Sequence, residues 1–278
     1  MLGKLIKQEL RATSRVMLPL VAAVLVLAIL TGVSVVMLDR EQDIGFMTVV
    51  FVLTIITFTV CVFAVCVTAL VIMIERFYKN LLGSEGYLMF TLPVSVDALV
   101  WAKLITSFIW FAVTAVAVML AGLLMVIVSA SHAFTGEELV YIRSVVGEVF
   151  ARLGAGNVIG LTLEILVTLF LVSVSTCLHF YFAMAIGQSF ANRKAAWSVV
   201  FYFVISIGVS LLSSAVLAAL SASGLADSLK ITVDSLTVSG SFAAVHLMLI
   251  ANIIVSAVLC AIFYFPTVTL LKKRLNLA

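Results

Sequence analysis

Apolar residues run almost without interruption through six stretches of the chain, residues 16–38, 44–74, 99–130, 158–189, 195–222 and 242–271. Each exceeds the roughly 20 residues that a helix needs to cross a hydrocarbon core. Inside that core every backbone N–H and C=O must find its partner within the protein, and a helix achieves this locally. Short segments of alternating polarity, the mark of a membrane-spanning β-barrel, are absent from the pattern. It therefore predicts an all-α, polytopic membrane protein with six transmembrane helices.

The polar positions between these stretches predict the rest of the architecture. Ahead of the first span, Lys4, Lys7, Arg11 and Arg15 alternate with Leu2, Ile6 and Leu10. The four-residue spacing places those three apolar side chains on one face, giving an amphipathic elbow helix over residues 1–15 at the membrane surface. The apolar run that follows is too long for the core of a secretory signal and lacks a small-residue cleavage site, so it reads as an uncleaved span. Pro19 is expected near the start of that span, where a missing amide costs least, and Pro266 is expected to kink the last one. Between the third and fourth spans, residues 136–153 set Val140, Val145, Val149 and Leu153 against Glu137, Glu138, Arg143, Glu148 and Arg152, the pattern of a further amphipathic helix. No internal repeat or soluble domain interrupts the chain, which reads as a single transmembrane domain over residues 1–278.

Composition supports the membrane assignment and the charges orient it. Of the 278 residues, 64% are hydrophobic and only 10% charged, against about a quarter charged in an ordinary globular domain. The net charge of +3 matters less than where the basic residues fall. With both termini on one side, that side holds Lys4, Lys7, Arg11, Arg15, Arg76, Lys79, Lys103, Arg193, Lys194, Lys272, Lys273 and Arg274 of the 16 Lys and Arg. The other side keeps Arg40, Arg143, Arg152 and Lys230. The positive-inside rule predicts a multi-pass protein with both termini in the cytoplasm.

Residues 75–98 stand out between the second and third spans. Glu75, Arg76, Lys79, Glu85 and Asp97 are interspersed with Phe77, Leu81, Leu82, Tyr87, Leu88, Met89, Phe90 and Leu92, a mixture suited to a segment lying at the membrane surface. Gly83 and Gly86 are expected to break it into two arcs and Pro93 to end it. Ser95 is placed to cap the third span, with Asp97 in its first turn, where the helix dipole favours negative charge.

Candidate chemistry inside the membrane is sparse. Glu164 falls near the outer end of the fourth span and His179 deeper in it, and an ionisable residue at membrane depth is a functional candidate by default. For Glu164 the competing reading is an interfacial side chain, and for His179 a hydrogen bond between helices. Cys61, Cys66, Cys177 and Cys260 all lie in apolar spans and read as small buried hydrophobes. Three scattered histidines give no metal-ligand spacing, and His246 falls near the outer end of the last span. Glu137, Glu138 and Arg143 approximate the Glu-Glu-x-x-x-Arg signature of intramembrane CAAX-type proteases. The arginine comes one residue late, in an outer loop without the histidines that chemistry needs. No phosphate-binding G-x-x-x-x-G-K-[ST] loop occurs, so no catalytic residue, cofactor or metal is expected, and no nucleic acid as partner. Gly156 with Gly160, and Ala183 with Gly187, permit close helix approach either within the chain or across a dimer seam.

In two segments the chain resembles the membrane subunits of the ATP-binding-cassette (ABC) type-2 exporter family. One is the start, Lys4-Leu-Ile-Lys-Gln-Glu-Leu-Arg-Ala-Thr-Ser-Arg15; the other is Gly86-Tyr-Leu-Met-Phe-Thr-Leu-Pro-Val-Ser95, with Lys103 and Leu104 in the third span. The resemblance implies a permease subunit of a bacterial plasma membrane, paired with a second permease, identical or different, in the lipid bilayer. It also implies that a separate ATPase subunit docks on the loop between spans two and three. Residues 75–98 would then be a cytoplasmic coupling segment, with Arg76, Tyr78, Lys79, Glu85, Gly86, Tyr87 and Phe90 as the contact residues. Glu164 and His179 become candidates for the transport path, and the cargo an exported peptide, drug or lipid. The alternative is a membrane anchor or sensor that docks a cytosolic partner and moves nothing.

Overall fold

The computed structural model describes residues 2–40, 44–83, 86, 94–133, 140, 144, 147, 155–190, 193–222 and 238–273. Among them run six long helices: α1 (Leu2–Arg40), α2 (Ile44–Phe77), α3 (Val96–Ala133), α4 (Ala155–Gly187), α5 (Lys194–Ala222) and α6 (Val238–Lys273). All six contain stretches long and apolar enough to cross a membrane. The protein is an all-α polytopic membrane protein. Only a small share of each span's most apolar stretch, 28% at most, is buried within the chain, as expected where lipid tails replace a protein core.

The helices outrun the apolar stretches that predict them. The elbow and the first span are one uninterrupted helix of 39 residues, about 58 Å at 1.5 Å per residue. Pro19 consequently lies well inside a helix rather than near its start. There it removes the amide that would close the helical bond to the Arg15 carbonyl. Pro266 likewise lies within α6, which runs on to Lys273, and beside it the Thr267 hydroxyl donates to the Phe263 carbonyl at 2.6 Å. The amphipathic helix expected over residues 136–153 falls almost wholly outside the described residues.

The chain clusters into two compact units. The first comprises residues 1–75 and 101–147 and the second residues 76–100 and 148–278. In the first unit Met17, Val24, Ala28, Val65, Ala69, Trp110 and Ala121 form a buried cluster. Polar contacts join its helices. The Trp110 indole donates to the Thr13 hydroxyl at 2.6 Å, and Lys103 Nζ meets Glu9 Oε1 at 2.9 Å with both side chains nearly sealed, 5% and 11% exposed. Ser34 and Thr54 share a 2.9 Å hydrogen bond between α1 and α2. In hydrocarbon such bonds fix which helix meets which, because apolar burial alone does not distinguish a neighbour from lipid.

The second unit is built on α4, which packs along both α6 and α5. Gly187, at the end of α4, makes the α5 contact possible. A Cβ there would lie 2.6 Å from the Ser198 nitrogen and 2.8 Å from its Cα, so the small residue serves packing within this chain.

Candidate functional site: residues 76–100 and the helices they are fastened to

The segment after α2 begins as more helix. Phe77 leads into a single π-helical turn, Tyr78–Leu82, in which Asn80, Leu81 and Leu82 are buried. Gly83 stops the turn with extended backbone, φ −91° and ψ −170°. A side chain at that position would press on the Lys79 carbonyl oxygen at 2.9 Å. The Gly86 amide then donates to the Gly83 carbonyl at 2.9 Å, a local turn of the kind the glycine pair predicts. At the far end Ser95 caps α3: its hydroxyl accepts from the Ala98 amide at 3.3 Å.

Both ends of the segment are tied to the second unit. Before the turn, the Phe77 ring stacks on Tyr181 of α4 with centroids 3.7 Å apart and planes 8° from parallel, and both residues are fully buried. After it, Asp97 accepts from the Tyr264 hydroxyl at 2.8 Å and from Lys272 Nζ at 2.8 Å, both on α6. One end is held by an aromatic stack, whose strength comes from buried area and ring geometry. The other is held by two hydrogen bonds to one carboxylate, both charge-assisted and one of them an ion pair.

Of the residues expected to receive a partner, Arg76 directly precedes Phe77 and the others fall between Phe77 and Asp97 in the sequence. Arg76 and Tyr78 are half-buried, Lys79 is exposed and Gly86 is buried. Glu85, Tyr87 and Phe90 lie outside the described residues. The sequence pointed to the segment but not to Phe77, Tyr181, Asp97, Tyr264 and Lys272 as the residues that hold it. Asp97 could be read only as a first-turn acid, and Lys272 only as part of a basic C-terminal cluster.

The two ionisable candidates in α4 occupy different places. His179 lies close to the fastened end, two residues from Tyr181. Its Nε2 shares a 3.3 Å hydrogen bond with the Ser206 hydroxyl of α5, and its ring lies 4.9 Å from Tyr202 and 5.2 Å from Phe263. These contacts make it an interhelical link among α4, α5 and α6. Glu164 is 15 residues away, about 22 Å along the helix. There its Oε2 lies 2.7 Å from His246 Nδ1 of α6. A carboxylate only accepts, so that ring nitrogen supplies the proton. The pair joins residues 82 positions apart, and the separate reading of Glu164 and His246 in the sequence gave no sign of it.

No family model matches the chain, and neither the curated proteins nor the solved structures contain a match to it.

Proposed function

We propose that the protein is the membrane-spanning permease subunit of an ABC exporter, worked by a separate ATPase subunit that engages residues 76–95. The observation that carries this reading is the two-ended fastening of that segment. Its flanking residues on both sides belong to the first unit, whereas residues 76–100 cluster with α4, α5 and α6. A displacement of the segment is thereby delivered to α4 through Phe77 and Tyr181 and to α6 through Asp97, Tyr264 and Lys272. Packed helices respond to such a push as rigid rods, which is how small shifts at a docking site become domain movements.

The concentration of lysine and arginine at this side of the spans supports a cytoplasmic position for the segment and for both termini. Arg76, Tyr78, Lys79, Glu85, Gly86, Tyr87 and Phe90 form the docking stretch, and a second permease subunit completes the transporter. The cargo is an amphipathic or apolar molecule moved outward, within the class of peptides, drugs and lipids.

The test is ATP turnover by the reconstituted complex. The wild-type chain is expected to raise the turnover of its ATPase, and Glu85→Ala combined with Tyr87→Ala to abolish that stimulation while the chain still folds and inserts. Turnover unaffected by the double substitution would instead favour an anchor that docks a cytosolic protein without driving it.

A further inference from the structure

We propose that Glu164, with His246 and Thr168 beside it, is a binding site for a hydrogen-bond-donating cation, a primary ammonium or guanidinium, carried by an amphipathic molecule in the membrane. The inference requires only that the helices span a bilayer and is independent of any ATPase.

Glu164 is the sole Asp or Glu in the sequence of α4, α5 and α6. These helices carry their lysines at the other end, at Lys194, Lys272 and Lys273. Lys272 lies 26 residues from His246, about 39 Å along α6. Among the described residues the one group that meets the carboxylate is an imidazole, which supplies no permanent positive charge. A carboxylate offers about four acceptor positions, and the contact with His246 occupies Oε2 alone. Oε1 has no hydrogen-bond partner among the described residues. Both side chains keep access to their surroundings, 21% exposed for Glu164 and 24% for His246.

A second polar atom points to the same place. Thr162, Ser173 and Thr176 of α4 each satisfy their hydroxyl by donating to the carbonyl four residues back, at 2.7, 2.6 and 2.8 Å. Thr168, one turn from Glu164 on the same face, is different: its hydroxyl oxygen is buried and has no hydrogen-bond partner among the described residues. The unsatisfied hydroxyl lies one turn from a carboxylate with an oxygen to spare, so the polar capacity of α4 is under-used at this end. Gly160, one turn to the other side, faces the same imidazole: a Cβ there would lie in ordinary van der Waals contact with His246 Cε1, at 3.4 Å.

The position suits an amphipath. Glu164 lies six residues into the span that begins at Val158, about 9 Å from its end, near the boundary between headgroups and hydrocarbon. Exposed Val167 on α4 and Ile250 on α6, each about one turn farther along, offer apolar surface to a tail. The natural occupant is either the ammonium of an aminophospholipid or a cationic amphiphile that the protein moves.

The experiment uses the full chain in phosphatidylcholine nanodiscs, whose quaternary ammonium has no N–H. Binding of dodecylamine above that to empty nanodiscs is measured by calorimetry and compared with dodecyltrimethylammonium. Saturable binding of dodecylamine at one site, about tenfold or more tighter than the trimethyl analogue, is expected from a charge-assisted hydrogen bond. Glu164→Gln should remove that preference, whereas His246→Gln, which frees the carboxylate, should keep or increase the affinity. Competition on replacing part of the lipid by phosphatidylethanolamine assigns the site to a lipid headgroup, and unchanged binding assigns it to a transported amphiphile. Equal affinity for the two amines, or an equal loss in both variants, would overturn the proposal, the latter by showing the pair to be only a clasp between α4 and α6.

Discussion

At one end of the second unit Asp97 holds two partners on α6 while the neighbouring Phe77 is stacked and sealed against α4. At the other end Glu164 meets a single imidazole, and among the described residues its second oxygen has no partner. Both are carboxylates that join helices distant in sequence, yet they are provided for differently. The first belongs to an end of the unit held by several contacts, an aromatic stack on α4 and two hydrogen bonds to α6. The second is a single contact that another donor can replace. A fastened end suits the transmission of force, and a half-open end suits exchange with something from outside the chain.

Removing parts of each end measures that difference. Phe77→Ala is expected to have the largest effect, about 3–5 kcal/mol, the usual cost of emptying a buried aromatic position. Thermal unfolding in detergent should show it, together with loss of ATPase stimulation. Gly187→Ala comes next, at about 1–3 kcal/mol, because the added methyl must push back the Ser198 backbone. A downward shift in melting temperature that Ser198→Ala fails to relieve would locate the clash in backbone rather than hydroxyl. Asp97→Ala is expected to cost about 1–2 kcal/mol. Its ion pair with Lys272 is largely exposed, 41% and 48%, and such pairs contribute little, so most of the loss should come from the Tyr264 hydrogen bond. In a double-mutant cycle, Tyr264→Phe should therefore show stronger coupling to Asp97→Ala than Lys272→Ala does. Glu164→Gln should change stability least, by under about 1 kcal/mol, and a larger loss would place this pair in the same structural class as the fastened end.

Much of the fold was legible because a bilayer imposes one requirement on every span. Length and apolarity alone located all six helices, and the Ser95 cap followed from a short polar side chain just before an apolar run. The helix ends were less legible. Glu75, Arg76 and Phe77 remain helical beyond the apolar stretch because the backbone has no reason to stop where the side chains become polar. The same continuity carries α1 back to Leu2 and puts Pro19 in its interior. Partner choice was the least legible. Glu9 with Lys103, Phe77 with Tyr181, Asp97 with Lys272 and Glu164 with His246 depend on which helix lies beside which, and an apolar helix surface does not announce its neighbour. Residues 76–95 could be singled out from their mixture of aromatics and charge. Their fastenings could not, since each lies about a hundred residues or more away along the chain.

The most direct test is photo-cross-linking in cells from a reactive amino acid at position 79, where the side chain is exposed on the segment between the fastenings, with position 57 in the middle of α2 as control. Mass spectrometry should identify a P-loop ATPase joined to position 79 and absent from position 57. Failure to capture an ATPase at position 79, or labelling of Lys79 by a membrane-impermeant reagent from outside intact cells, would contradict a permease driven from the cytoplasm through residues 76–95.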